Sequence, residues 1–140
     1  MLGRPLLECL LLHVEDDDTS AFLFQKALLE RIPFPKLFRV SDGEQAWEFL
    51  SQTGVYGSVP RPDLVLLDLN LPKRHGFEVL ASMKCDPNLL TIPVVVFSTF
   101  LSPQDREKAL HLGAVSYLYK DGSFDGFVNA ADLVCRMIAA

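Results

Sequence analysis

Five short apolar runs, alternating with stretches of helical pattern, constrain this chain more than any other feature. They are Cys9–Val14, Leu37–Val40, Leu64–Leu67, Val94–Phe97 and Val115–Tyr119. Cys9–Val14 is continuous and ends abruptly in acids, as expected of a strand buried on both faces, and Leu64–Leu67 is the most apolar of the set. Between them the pattern predicts helices at Thr19–Arg31, Glu44–Gln52, Phe77–Cys85 and Phe124–Met137. The helix before the fifth strand is the best signalled. Ser102 can cap it, Pro103 suits its first position, Asp105 favours its positive end and Gly113 closes it. Asp18 or Thr19 is available to cap the first helix, and a Gly/Pro-rich loop, Thr53–Pro62, leads into the third strand. Strand and helix repeats with short connections imply parallel strands and right-handed crossovers. The expected fold is therefore α/β: a doubly wound, five-stranded parallel sheet in the order 2-1-3-4-5, with five helices.

Such sheets build their sites beyond the carboxyl ends of the strands, at the switch point between strands 1 and 3. The residues that follow strands 1, 3, 4 and 5 should then face one crevice. They are Glu15-Asp16-Asp17, Asp68, Ser98-Thr99 and Lys120. Crowded carboxylates repel one another unless a cation joins them. A hard divalent ion, Mg²⁺ or Mn²⁺, relieves that repulsion and keeps several of its waters. Lys120 adds a second positive charge and Ser98 a neutral donor, enough to hold phosphoryl oxygens around a carboxylate nucleophile. An aspartate that attacks phosphorus forms an aspartyl phosphate, and phosphoryl transfer needs mainly in-line positioning and charge neutralisation. The set therefore fits phosphoryl chemistry.

Composition narrows the alternatives. The 140 residues suit one domain spanning 1–140, and 49% hydrophobic with 22% charged content is that of a folded globule. No internal repeat, linker or low-complexity tract divides it. A net charge of −5 lacks the basic face that a nucleic-acid binder needs. The three cysteines, Cys9, Cys85 and Cys135, are odd in number and form no CxxC, which argues against a zinc site or disulfide framework and for a reduced interior. Leu6–Val14 is interrupted by Glu8 and His13, is too short to span a bilayer and lacks a signal-peptide layout. A cytoplasmic protein, away from membranes, is expected.

Four segments carry a family resemblance: Val14-Glu15-Asp16, LVLLDLNLPKRHG with Asp68, Pro72 and Gly76, VVVFST with Ser98, and YLYK with Tyr117 and Lys120. In this order and at these strand ends they resemble the receiver domain of bacterial two-component response regulators, over nearly the whole chain. RPDLVLLDLNLP and the loop before it look most like the small regulators paired with bacterial phytochromes. The resemblance implies a flavodoxin-like fold and a phosphorylation-dependent signalling switch in a phosphorelay, without an output domain. Asp68 is then the phosphoacceptor, taking its phosphoryl group from a histidine kinase, of the phytochrome photoreceptor type if the subfamily likeness holds, and onward transfer to a histidine phosphotransfer protein is one implied output. Glu15, Asp16 and Asp68 are the side-chain ligands of Mg²⁺ or Mn²⁺, and Asn70 gives its backbone carbonyl. Ser98 is the switch hydroxyl, Lys120 pairs with a phosphoryl oxygen, and Tyr117 is the aromatic that turns inward once Ser98 has moved. The expected output is binding, including a homodimer through helix 4, strand 5 and helix 5, on a face carrying Leu110, Tyr119 and Phe127. Apart from its own phosphorylation and dephosphorylation, no enzyme activity is implied. One position departs from the pattern: Asp121 stands where the family usually has proline, which places a second carboxylate in competition for Lys120. Two other readings remain. One is a receiver that docks without being phosphorylated. The other is an aspartate-nucleophile phosphohydrolase, against which the Asp68-Leu69-Asn70 spacing and the strand-3 position count.

Several residues have plainer readings. One of the four consecutive acids, Asp18, suits a helix start, where the dipole favours it. His13, inside an apolar run, is expected to be a neutral histidine bonded to a neighbour, and His75 and His111 carry no partner pattern. Phe22, Phe24 and Leu28 read as core, Trp47 as core or flank packing, and the cysteines as buried small hydrophobes. Phe100, two residues beyond Ser98, either covers the crevice mouth or packs beside Leu101.

Overall fold

The computed structural model of the protein describes residues 9–100 and 102–139. Leu6–Glu8 of the leading apolar run and Leu101 lie outside the described residues. The elements are β1 (Leu10–Val14), α1 (Asp18–Leu29), β2 (Lys36–Val40), α2 (Gly43–Ser51), β3 (Leu64–Leu67), α3 (Gly76–Lys84), β4 (Val94–Ser98), α4 (Pro103–His111), β5 (Ser116–Tyr119) and α5 (Phe124–Ala139). A 3₁₀ turn, Gly54–Tyr56, breaks the loop before β3. All pairings are parallel and the sheet order is β2-β1-β3-β4-β5, the order expected.

Alternation along the central strands divides the core into two layers. Val65 and Leu67 of β3 pack with Ala46, Phe49 and Leu50 of α2 and with Val79, Leu80 and Met83 of α3. Leu64 and Leu66 face the other way, onto Phe24 and Leu28 of α1 and Phe127 and Val134 of α5. All four β3 side chains are inaccessible to solvent, which is why the run is apolar without alternation.

Helix termini follow local chemistry. Ser102 caps α4 by accepting from the Asp105 amide, with Pro103 in the first turn. The cap of α1 is Asp17 and not Asp18 or Thr19: its carboxylate accepts from the Ser20 amide at 2.8 Å. Asp18 instead pairs with Arg39. His75 has a partner after all. It caps α3, its Nδ1 accepting from the Phe77 amide at 3.1 Å while its ring stacks on Phe77.

Three expectations about burial fail. Phe22 is 62% exposed, because α1 turns Phe24, Ala27 and Leu28 to the sheet and leaves Phe22 on the outer side. Phe127 is buried edge-on against Phe97, so it belongs to the core rather than to a docking face. Cys85, at the end of α3, is exposed, whereas Cys9 and Cys135 are buried. No helix among the described residues is long and apolar enough to cross a membrane.

Candidate functional site

Parallel pairing brings the carboxyl ends of β1, β3, β4 and β5 to one edge of the sheet. Val14 lies beside Leu67 in register, so the residues after them, Glu15 and Asp68, emerge side by side. Backbone bonds fix both exits: the Asp68 amide donates to the Val14 carbonyl and the Glu15 amide to the Val40 carbonyl, each at 3.0 Å. Glu15 and Asp68 are buried, while Asp16 is exposed. One carboxylate oxygen from each of these three residues lies within 4.8 Å of the others. Three hard oxygen donors at that spacing, open to water on the Asp16 side, fit a divalent cation that keeps part of its hydration shell.

Lys120 enters from the end of β5, where its amide donates to the Ser98 carbonyl at 2.6 Å. Its buried ammonium forms an ion pair with Glu15 Oε1 and stands 3.7 Å from Asp68 Oδ2. The Phe97 ring lies 5.5 Å from Nζ, an apolar floor that sequence reasoning missed. Burial pushes the Glu15 carboxyl up to about 7, and the Lys120 charge pulls the other way. Asp121 does not compete for Lys120. Its carboxylate accepts from the Ser123 amide at 2.8 Å and from the Ser123 hydroxyl at 2.7 Å, and that hydroxyl accepts from the Gly126 amide in the first turn of α5.

Ser98 ends β4 fully buried, its hydroxyl accepting from the Phe100 amide at 3.1 Å. Thr99 beside it is exposed. Tyr117 already points inward: it is buried, and its hydroxyl donates to the Phe100 carbonyl at 2.8 Å. Burial pushes that phenol upward, away from ionisation. Phe100 is 44% exposed, with its backbone tied at both ends to the switch pair.

Asn70 is exposed, and its amide donates to Asp68 Oδ1 at 3.3 Å. Beneath the acids, His13 is buried against Phe24; burial, then the Lys120 and Arg39 charges, hold it neutral, down to about 3. It is the neutral histidine expected, but among the described residues its Nδ1 finds no hydrogen-bond partner. Arg39 was not anticipated either. Its Nε donates to the Glu15 carbonyl at 2.9 Å and its Nη1 to Asp18 at 2.7 Å, tying the end of β2 to the acidic loop. A charged residue inside the apolar run Leu37–Val40 was the available signal.

The edge therefore gathers Asp68, two further carboxylates, an ammonium and a buried hydroxyl. Comparison with known proteins agrees with that chemistry. The family model described as response regulator receiver domain matches residues 11–132. The response regulator Rcp1 of Synechocystis sp. is 43% identical over 110 residues, covering 79% of this chain and 75% of that protein. The polar-differentiation response regulator DivK of Brucella anthropi is 30% identical, covering 83% and 87%. Among solved structures, the phosphorylated cyanobacterial phytochrome response regulator RcpA superposes with a TM-score of 0.87 at 36% identity, over 94% of each chain. The Mn²⁺-bound form of Rcp1 gives 0.84 at 37% identity, over 90% of this chain and 91% of that one. On sequence and on fold alike, this chain belongs to the response regulator receiver domains and is a phosphorylation-dependent signalling switch.

Proposed function

We propose that Asp68 accepts a phosphoryl group from a phosphohistidine and that the surrounding residues make the transfer and its readout possible. A carboxylate oxygen of Asp68 attacks phosphorus, the P–N bond breaks as the P–O bond forms, and the histidine nitrogen recovers a proton. The observation that carries this reading is the grouping at Asp68: two further carboxylates within 4.8 Å and the Lys120 ammonium at 3.7 Å. Glu15, Asp16 and Asp68, with the Asn70 carbonyl, would hold Mg²⁺ or Mn²⁺. When bound, that ion neutralises charge on the carboxylates and the phosphoryl oxygens. Lys120 turns from Glu15 to a phosphoryl oxygen, and Ser98 gives up the Phe100 amide to donate to another. Because the Tyr117 hydroxyl is held by the Phe100 carbonyl, movement of Ser98 is felt at Tyr117. A phosphoryl group shifts the equilibrium only by what it gains in one state over the other, and the Ser98 bond supplies that difference.

Response regulators of this type work with histidine kinases or phosphotransfer proteins, and similarity to RcpA and Rcp1 supports a phytochrome-type photoreceptor kinase as donor. The cytoplasm is the compartment such a donor implies. A second copy docking on α4, β5 and α5 is the output proposed, supported by the exposed Tyr119 beside a hollow of about 200 Å³ lined by Pro103, Arg106 and Tyr117. Its test is light scattering with and without a phosphoryl mimic; a monomer at every concentration in both would refute the dimer.

Acetyl phosphate with Mg²⁺, followed by intact mass, tests the central reading. One phosphoryl per chain is expected in the wild type and none in Asp68→Asn. Retention of the added mass in Asp68→Asn would overturn the assignment. Many turnovers of a chromogenic phosphate ester would favour a hydrolase instead.

A further inference from the structure

The loop between Asp68 and α3 is anchored at two points, and Asn70 lies near the first. At its far end the Gly76 amide donates to the Leu69 carbonyl at 2.8 Å. A Cβ on Gly76 would stand 2.5 Å from the Asp68 carbonyl oxygen, so only glycine lets the loop close there. The tip is seated on the start of α2. The Gly43 amide donates to the Pro72 carbonyl at 3.2 Å, and a Cβ on Gly43 would fall 1.9 Å from the Arg74 carbonyl oxygen. Lys73, in the left-handed region at φ 68°, reaches the buried Asp42 at 3.6 Å. Asp42 in turn caps α2 through the Gln45 amide. Arg74 lays its guanidinium over the Trp47 ring, 5.3 Å from the centroid.

We propose that this seat on α2 is a positioning clamp for the Asn70 carbonyl, with Gly43 and Arg74 as its working residues and Trp47 as its reporter. The proposal rests on the metal reading above. A backbone carbonyl has no rotamer with which to seek an ion, so its aim is set by where the loop is held. Gly43 sets the height of the loop tip because any side chain there meets Arg74 backbone. Trp47 is the chain's one tryptophan. Arg74 couples it to the loop, so closing the carbonyl onto an ion moves the guanidinium over the indole.

The test measures Mn²⁺ affinity from free-ion electron paramagnetic resonance, and Trp47 emission during a titration with diamagnetic Mg²⁺, on the full chain. Wild type is expected to bind Mn²⁺ and to show a saturable emission change with Mg²⁺. Gly43→Ala is expected to bind Mn²⁺ about tenfold more weakly, as losses of supporting groups around metal ligands typically do. Gly57→Ala, whose Cβ would meet nothing nearer than 3.6 Å, keeps wild-type affinity and controls for the substitution itself. If Gly43→Ala does not fold, Arg74→Ala decides: it should weaken Mn²⁺ binding and abolish the Mg²⁺-dependent emission change. A merely structural role would lower the melting point and leave both readouts intact well below it. Unchanged affinity in the folded Gly43→Ala variant, or in Arg74→Ala where that variant decides, overturns the clamp. Failure of the wild type to bind Mn²⁺ overturns the metal reading first, and the clamp with it.

Discussion

Lys120→Met is predicted to destabilise the metal-free protein far more than Glu15→Gln, although the two side chains form one ion pair. Geometry breaks the symmetry. Glu15 is 1% exposed and has Lys120 as its ion-pair partner, whereas Lys120 has both Glu15 and Asp68, the latter at 3.7 Å. Removing the ammonium strands Glu15 beside a second carboxylate; removing the Glu15 charge leaves Lys120 a counterion. A charge pair at about 4 Å contributes ~4 kcal/mol at an effective dielectric near ~20. Breaking a buried pair by deleting one member costs about 3–5 kcal/mol in general. Proton uptake by Glu15, already pushed up to about 7, limits the loss and puts Lys120→Met near the lower figure, ~3 kcal/mol. Glu15→Gln keeps an oxygen that can accept from Lys120 and should cost ~1 kcal/mol. The double variant should recover part of the difference, with a coupling energy of ~2 kcal/mol. Urea unfolding near neutral pH, with EDTA present to exclude metal, measures all four proteins. Additive single effects within ~0.5 kcal/mol would refute the reasoning, as would a Glu15→Gln cost equal to or above that of Lys120→Met.

Three further outcomes are expected. If Phe100 covers the crevice mouth, it offers no side-chain hydrogen bond to an in-line water, so Phe100→Glu and Phe100→Ala should each speed loss of the phosphoryl group about tenfold, or ~1.4 kcal/mol of barrier; equal decay rates after donor removal, at fixed Mg²⁺, would reduce Phe100 to packing. Asp121→Ala removes the acceptor for Ser123 and should lower the urea midpoint slightly, yet leave the rate of phosphorylation by acetyl phosphate unchanged; a large drop in that rate would mean that Asp121 acts on Lys120 after all. Phe24→Ala, at a fully buried site, should cost ~3–5 kcal/mol. Phe22→Ala, on the outer side of α1, should stay within ~0.5 kcal/mol, and comparable losses for the two would contradict the facing of that helix.

What could be read from the sequence was local or periodic. The unbroken LVLL of β3 announces a strand covered on both sides, and Ser102-Pro103 with Gly113 announces α4, because those residues act on backbone within a turn of themselves. The strand-end positions of Asp68, Ser98 and Lys120 follow from the β/α alternation plus one topological rule. Other features depended on distance in space. Phe22 and Phe24 are equally apolar, and only the docking angle of α1 decides which one meets the sheet. Phe127 joined the core for the same reason. The sequence offered Asp18 or Thr19 as the cap of α1, and the path of the chain out of β1 selected Asp17 instead. Lys120 meets Glu15 across a separation of 105 residues, and Tyr117 meets a backbone carbonyl that no composition signals. The seat of the Asp68 loop on Gly43 belongs to the same class. A glycine in sequence says only that a side chain is absent; which backbone fills the vacancy is decided when two elements pack, because close approach is a property of pairs of surfaces and not of either sequence alone.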